Sequence, residues 1–591
     1  QDNYIYNSTI QEVQGYTQGL YISSIVFLVA IQSQARFENN TFNLITTLPK
    51  GNIMTISVPK IELSNCHFSN LTFGSVEGAI HTLFENISIN NCLFEGIRSL
   101  DSDGVGVLKF TNPEPKIMLR IDIQNSTIQD NFSPYSTVLY VKDSKVALNI
   151  NSCVISNNFR SRTGCLFTIW NATGSQINIT NSRMSQQPSK ETIYPNMEVI
   201  GVESSRANVS VYMFNVTMDV TGEANGVFVV ASGEAPVAVL GEQIIYSASA
   251  RSDGLYPQFG LFRGDNFNAT FKNLQISNIT LGEVGLFVIN ADANPGEWHL
   301  NIIDSKFEGM NLKDGLIIIK ADNASPNALN GLSVVFENTS ISNVNWQSSS
   351  NGVVRSLTSR LGRGLARGPE EIGFAIIMNN CTFTRLTGST GLIISAIESM
   401  YDSVAFISNC QFSFIKAFGP GAILNPSNDL APNITGNALI DNTYTRNPTF
   451  KVTRNSFKYI SSAYGTFLHW ISESRGIFLK TEDNHFAAIS CNGNGGLIFA
   501  QYLLQKHHLS TLTSEPYFRV ISRNDIATGI SGTRNGGVIY ADGVTELFNL
   551  TLMNLTLSDV VCEDDGGVAY LFSPNQNAIM FNSLSRQLDT P

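Results

Sequence analysis

An asparagine followed three positions later by an apolar residue recurs along this chain, at Asn65 with Phe68, Asn91 with Phe94, Asn125 with Ile128, Asn273 with Ile276, Asn338 with Ile341, Asn380 with Phe383 and Asn409 with Phe412. Weaker copies stand at Asn7, Asn39, Ser152, Asn181, Asn215, Asp304, Arg454, Asp483, Arg523 and Asn554. Neighbouring copies are mostly 26 to 34 residues apart, and the 58-residue step after Asn215 has room for one degenerate copy. A period in this range marks a solenoid, in which each repeat is too small to bury an apolar face alone and stacks on the next.

A second signal keeps the same register. A glycine leading an apolar run follows the asparagine position after 11 to 15 residues, as at Gly78, Gly106, Gly226, Gly285, Gly315, Gly391, Gly421, Gly496, Gly537 and Gly567. Before many of the asparagines every second residue is a larger apolar one, as in residues 119–125, 332–338 and 374–380. That is the period of a strand with one buried face. Each repeat therefore holds about three short strands and no helix. Strands stacked turn on turn make an all-β, right-handed parallel β-helix, the hand following from the crossover preference. The sequence predicts roughly 18 rungs rising about 4.8 Å each, in one continuous solenoid over residues 1–591, with insertions near 345–372, 416–450 and 500–517. Asparagine suits the tight corner because it tolerates the left-handed conformation, and its amide can bond the asparagine one turn away. Glycine suits a second corner where a side chain would crowd the next rung.

The runs Gly495-Gly-Leu-Ile498, Gly536-Gly-Val-Ile539 and Gly78-Ala-Ile80, with the asparagine-rich turns, resemble the repeats of polymorphic outer-membrane proteins and other pectin-lyase-like right-handed β-helices. The partner motif, Phe-x-x-Asn, is kept at Phe37-Glu-Asn-Asn40, while most rungs place asparagine before the aromatic. The resemblance implies the fold and a surface-exposed role.

Composition fits a secreted rod. Only 14% of residues are charged, against roughly 25% in ordinary domains, and the net charge of −11 argues against nucleic acid or acidic lipid as partners. No stretch reaches the roughly 18 apolar residues of a membrane span; Ile25 to Ile31 reads as the buried strand after Gly19. No basic leader region precedes it, so Gln1 either follows a removed signal peptide or begins an excised fragment.

Eighteen Asn-x-Ser/Thr sequons occur. Those at Asn7, Asn39, Asn125, Asn215, Asn338, Asn380 and Asn554 occupy the corner ladder, where serine and threonine suit the turn anyway. Expected glycan carriers are Asn70, Asn86, Asn131, Asn171, Asn208, Asn268, Asn278, Asn323 and Asn433, which favours a eukaryotic secretory route to the extracellular space or cell surface. The eight cysteines are even in number, as an oxidising compartment predicts. Cys66 with Cys92, and Cys381 with Cys410, each follow corner positions one rung apart, so they form either two disulfides, the favoured expectation, or ladders of buried thiols.

Catalytic signatures are sparse. Glu370-Glu371 and Asp564-Asp565 are adjacent pairs whose members point to opposite faces of a strand, and His507-His508 lie in a long loop. Asp292 and Asp322 sit in similar loops 30 residues apart; stacked, they could share calcium, or each could simply close its own turn. No other cofactor is expected. Arg360 to Arg367 forms a basic patch in the first insertion. The reading is a non-enzymatic, secreted, glycosylated structural or adhesive protein that associates with itself or with other extracellular proteins and glycans. Both chain ends read as uncapped strand, which predicts that the chain either belongs to a longer polypeptide or stacks end to end into a filament. The alternatives are a polysaccharide-acting lyase or hydrolase of the same fold and a bacterial autotransporter adhesin.

Overall fold

The structure is a computed structural model of the 591-residue chain. Between residues 3 and 572 it describes the strands and most corners. The segments 17–23, 112–117, 187–199, 222–228, 250–258, 321–330, 358–373, 426–448 and 503–517, several shorter connections and residues 573–591 lie outside the described residues. The described elements are all strands, paired in parallel, and they fall into two compact units, Gln1–Gly282 and Glu283–Pro591. The fold is the expected parallel β-helix, with strands at equivalent places in successive turns lying side by side.

In the N-terminal unit a first wall runs through Gln34–Glu38, Lys60–Ser64, Asn86–Asn90, Met118–Gln124, Lys145–Asn151 and Gln176–Thr180. Alternate residues point inward, as in Lys145–Asn151, where Val146, Leu148 and Ile150 are buried. The next strand follows the corner asparagine, and its phenylalanines form a core stack in which Phe42, Phe68 and Phe94 lie 4.7 and 4.9 Å apart. One detail departs from the sequence reading. From Gln14 to Arg160 each turn holds four short strands rather than three, because a second left-handed corner at Leu44, Asn70, Gly96, Asp130 and Asn157 cuts the second segment in two.

The C-terminal unit repeats the scheme with three strands per turn, for example Trp298–Ile303, Lys306–Leu312 and Ile317–Lys320. Its second strand carries the same left-handed residue as an internal kink, at Gly309, Asn343, Arg385, Phe414, Tyr459, Ala488, Gly529 and Asp559. A core stack of Phe383, Phe412, Phe457 and Phe486 continues at 4.7 to 4.9 Å.

The corner asparagines behave as their chemistry requires. Asn65, Asn91, Asn125, Asn273, Asn338, Asn380 and Asn409 all have φ between 49° and 56°. Their amides bond between turns, Asn91 Nδ2 to Asn65 Oδ1 at 2.7 Å and Asn380 Nδ2 to Asn338 Oδ1 at 2.7 Å. Gln243, at φ 54°, is the degenerate copy in the long step. One position moves: the corner lies at Asn524, while Arg523 ends the strand Phe518–Arg523. At the glycine corner a Cβ on Gly106 would stand 2.1 Å from the Thr137 carbonyl oxygen of the next turn, so no side chain fits there.

Candidate functional site

The residue after each corner position points inward; after some corners it is apolar, as at Val216, Ile244 and Leu274, and where it is polar the chain uses it for one task. Its side chain accepts a hydrogen bond from the backbone N–H of the equivalent residue one turn earlier. Cys66 N donates to Cys92 Sγ at 3.4 Å, Cys92 N to Ser126 Oγ at 3.1 Å and Cys153 N to Ser182 Oγ at 3.1 Å. In the C-terminal unit the series is Cys381 N to Cys410 Sγ, Cys410 N to Asn455 Oδ1, Asn455 N to Asn484 Oδ1 and Asn484 N to Asp525 Oδ1. A buried N–H without a partner costs about 1–3 kcal/mol, so the column satisfies a demand at each of these turns.

This arrangement corrects the disulfide expectation. Cys66, Cys92, Cys381 and Cys410 are free, buried thiols. Parallel stacking points both side chains the same way, holding their Cβ atoms near the rung spacing of about 4.8 Å, whereas a disulfide needs about 3.8 Å. The hydrogen bond to the neighbouring sulfur, and then burial, hold the Cys92 and Cys410 thiols above the ordinary range.

The sequons divide on geometry. Asn208, Asn268 and Asn278 are exposed, Asn70 is exposed with its amide on Asn43 Oδ1 at 3.2 Å, and Asn86 and Asn178 lie half-buried on the first wall. Asn131 is fully buried. Its Oδ1 accepts from Ile97 N, and its Nδ2 donates to Phe94 O and Asn158 Oδ1. It is a core residue with no room for a sugar in the folded chain, which corrects that expectation. Asn171, Asn323 and Asn433 lie outside the described residues, as do Asp292 and Asp322, the calcium candidates. Among the described residues no group of three or more His, Cys, Asp or Glu is placed to hold a metal, and no described helix is long and apolar enough to cross a membrane.

Two features of the C-terminal unit escaped the sequence reading. The first is interior. Asp525 is 2% exposed and accepts from Thr481 Oγ1, Ser522 Oγ, Asn484 N and Asn484 Nδ2, at 2.5 to 3.0 Å. It borders a cavity of about 30 Å³ lined, apart from Thr481 and Ser522, by apolar residues such as Phe467, Phe486 and Leu552. Desolvation raises its carboxyl above the usual range, against the pull of those donors.

The second is on the outer face of the second strands, along the kink. Phe414 and Tyr459, on adjacent turns, are 56% and 57% exposed and stack at 5.0 Å with an 11° interplanar angle. Both are held at positive φ, 54° and 56°, where a bulky side chain is strained, and Arg385 precedes them in the column at φ 54°. Lys416 Nζ lies 5.1 Å from the ring of Phe418, itself 65% exposed. Lys458 is exposed beside Tyr459. Further round the turn, Tyr464, 43% exposed, tilts against the buried Phe499 at 5.6 Å, and Phe499 stacks with the half-buried Tyr540 and Tyr570 of the following third strands at 5.1 and 5.2 Å. His469 closes that stack on Phe499 at 5.0 Å, and burial pushes its imidazole down to about 3. Burial, followed by the Asp542 carboxylate, pushes the Tyr540 hydroxyl up to about 12.

No protein-family model and no curated protein matches the chain. Among solved structures it resembles a PL6 family alginate lyase, AlyGC, at 10% identity and a TM-score of 0.21 over 96% of this chain and 97% of that one. An arginine-to-alanine variant of the same enzyme resembles it at 9% identity and a TM-score of 0.24, over 97% and 96%. The likeness extends to the parallel β-helix and no finer. Both solved structures are of alginate lyases, against the expectation of a non-enzymatic chain, and at these scores the likeness assigns no activity to this one.

Proposed function

We propose that this chain is a secreted, N-glycosylated solenoid that works at a cell surface or in an extracellular assembly, and that it contacts its partners through the outer kink of the C-terminal unit. The observation that carries the reading is the exposed Phe414–Tyr459 stack. Two aromatic rings in the left-handed region cost of order 1 kcal/mol each and receive little burial in return. Asparagine at Asn343 and glycine at Gly309 and Gly529 hold the same kink without that cost. Surface aromatics kept against a local penalty are a mark of a contact site. The exposed sequons Asn208, Asn268 and Asn278 support the secretory route.

The test is expression in a eukaryotic secretory host with glycopeptide mapping, followed by retention of the purified protein on cells or extracellular matrix. The expected result is sugar at Asn208, Asn268 or Asn278, none at Asn131, and retention that falls when Phe414 and Tyr459 are both changed to asparagine. A bare chain, or retention indifferent to the double change, would overturn the reading. Assay of the same matrix polysaccharides for new reducing or unsaturated ends reports whether contact is accompanied by cleavage.

A further inference from the structure

The kink column is not uniform along the C-terminal unit. Its aromatic stack stops at Tyr459, and the next two positions are Ala488 and Gly529. The register is unbroken there: Lys458, Ala487 and Thr528 align on one side of the column, and Ile460, Ile489 and Ile530 on the other. Phe414 covers one face of the Tyr459 ring at 5.0 Å. On the opposite side the next two turns offer a methyl group and then no side chain, before Asp559 on the third. A Cβ on Gly529 would meet nothing nearer than Ala488 N at 3.5 Å. The column thus leaves a recess one ring thick or more, walled by Tyr459 and floored by Ala488 and Gly529. Its flanks carry hydroxyls, Thr528 on one side and Ser461, Ser490 and Ser531 on the other, aligned by the same pairing.

Charge adds a second, independent constraint. The chain has 48 acidic residues against 37 basic ones. Yet the second-strand segments and following corners of five successive turns, residues 382–391, 411–421, 456–466, 485–496 and 526–537, contain no aspartate or glutamate and carry Arg385, Lys416, Lys458 and Arg534; the strip ends at the next turn, where Asp559 takes the kink position beyond Gly529. An aromatic face rimmed by hydroxyls suits the flat, CH-bearing face of a pyranose, whose own hydroxyls would replace water on the serines and threonine. A cationic strip free of carboxylates suits a glycan that carries anionic groups.

We propose that the open face of Tyr459, above Ala488 and Gly529, stacks on a sugar ring of an anionic glycan whose charged groups lie along Lys458, Lys416 and Arg385. The proposal deepens the contact-site reading by naming the ligand class, and it rests on that reading for the choice of surface. The rings of Phe414 and Tyr459 form a rigid pedestal, and a bound ring occupies the place that Ala488 leaves empty in the stack. Binding then weakens with salt, because the cations are exposed.

The experiment is titration of the purified chain with size-defined neutral, carboxylated and sulfated oligosaccharides, followed by calorimetry. The expected result is binding of a carboxylated or a sulfated series, the two arms separating the sources of charge, with affinity falling as salt is raised. Tyr459→Asn should weaken binding by up to about tenfold, the scale of one aromatic stacking contact, while leaving the fold intact, since Asn343 already holds this kink. Ala488→Tyr, which fills the recess with the chain's own ring, should block binding in a chain whose melting curve shows it folded. Lys458→Gln should reduce both the affinity and its salt dependence. Binding of the neutral series alone, binding indifferent to Tyr459→Asn, or no binding in any series would overturn the proposal. Titration of a tyrosine-bearing acidic peptide in parallel tests the protein alternative, and tighter binding of the peptide than of every glycan would also overturn it. The assay uses soluble ligands and takes no account of secretion or glycosylation, so its failure and that of the broader reading are told apart.

Discussion

The two units solve one problem, how to turn the chain after the first-wall strand, with the same left-handed geometry and side chains that differ in part. In the N-terminal unit the last two of the second corners are sealed from inside by amides, Asn131 and Asn158, which are buried and span the turns at 2.9 Å, while the three before them are followed by buried Ile45, Leu71 and Ile97. The first-wall exterior there is polar, with Asn149 Nδ2 on Asp122 Oδ1 and Asn178 Nδ2 on Asn149 Oδ1, both at 2.7 Å. In the C-terminal unit the equivalent kink is followed by apolar residues such as Ile415, Ile460 and Ile489, and large side chains are spent outward at Phe414 and Tyr459. The first-wall exterior also carries Phe406 under Lys451 at 5.0 Å and Phe478 under Arg519 at 5.4 Å. The difference teaches that the backbone corner is generic, and that a corner with an apolar residue inside is free to vary what it shows to solvent, as Leu44 does in one unit and Phe414 and Tyr459 in the other.

Removing a buried amide breaks the comparison most severely. Asn131→Leu orphans Ile97 N–H and Phe94 carbonyl and leaves the Asn158 Oδ1 without its donor, which should cost the N-terminal unit about 4 kcal/mol in chemical denaturation. The same measurement on Ile460→Val, at an apolar corner of the C-terminal unit, should show about 1 kcal/mol.

Acid should separate the units next. His469 is neutral in the folded chain because burial lowers its pKa from 6.5 to about 3. The stability it confers is therefore present above pH 6.5 and is lost as pH falls through that value toward 3, by about 3 kcal/mol at pH 4. Acid titration of stability should show this loss in the C-terminal unit, and His469→Phe should abolish it.

Asp525 works in the opposite sense. Its folded pKa is raised, so its contribution is fully present below the ordinary aspartate range and is lost as pH rises above it. Asp525→Asn, the residue used at Asn484 and Asn455 in the same column, should raise stability at neutral pH by about 1 kcal/mol and remove the gain on mild acidification.

The smallest effects test the interchangeability of the corner column. Phe414→Asn should be neutral or stabilising by up to about 1 kcal/mol, because asparagine relieves the left-handed strain. Cys66→Ser should cost less than about 1 kcal/mol, since Ser126 and Ser182 already perform its task. Thiol labelling of the native chain at Cys66 and Cys92 should be slow and become fast on unfolding, as for buried thiols; resistance to labelling after unfolding without reductant would restore the disulfide.

By itself the sequence determined the period, the parallel β-helix, the left-handed asparagine corner and the crowded glycine corner. Each is a local demand: only a few residue types tolerate positive φ, and repeating one at 26 to 34 residues leaves little but stacking. Only the tertiary structure decided which side chains face out. Strict alternation places Phe412 and Phe414 on one face of a strand, but the left-handed residue at 414 shifts the phase, so that Phe412 is buried while Phe414 is exposed. The same shift buries Asn131 just after Asp130, where the sequon pattern suggested a surface site. It also takes stacking to reveal that a cysteine, a serine, an asparagine and an aspartate are equivalents, because their shared task is to accept a backbone hydrogen from another turn. The physical reason is one of range. Corner conformation is set within a few bonds, whereas exposure and hydrogen-bond partnership are set by the neighbouring turn, about 30 residues away along the chain.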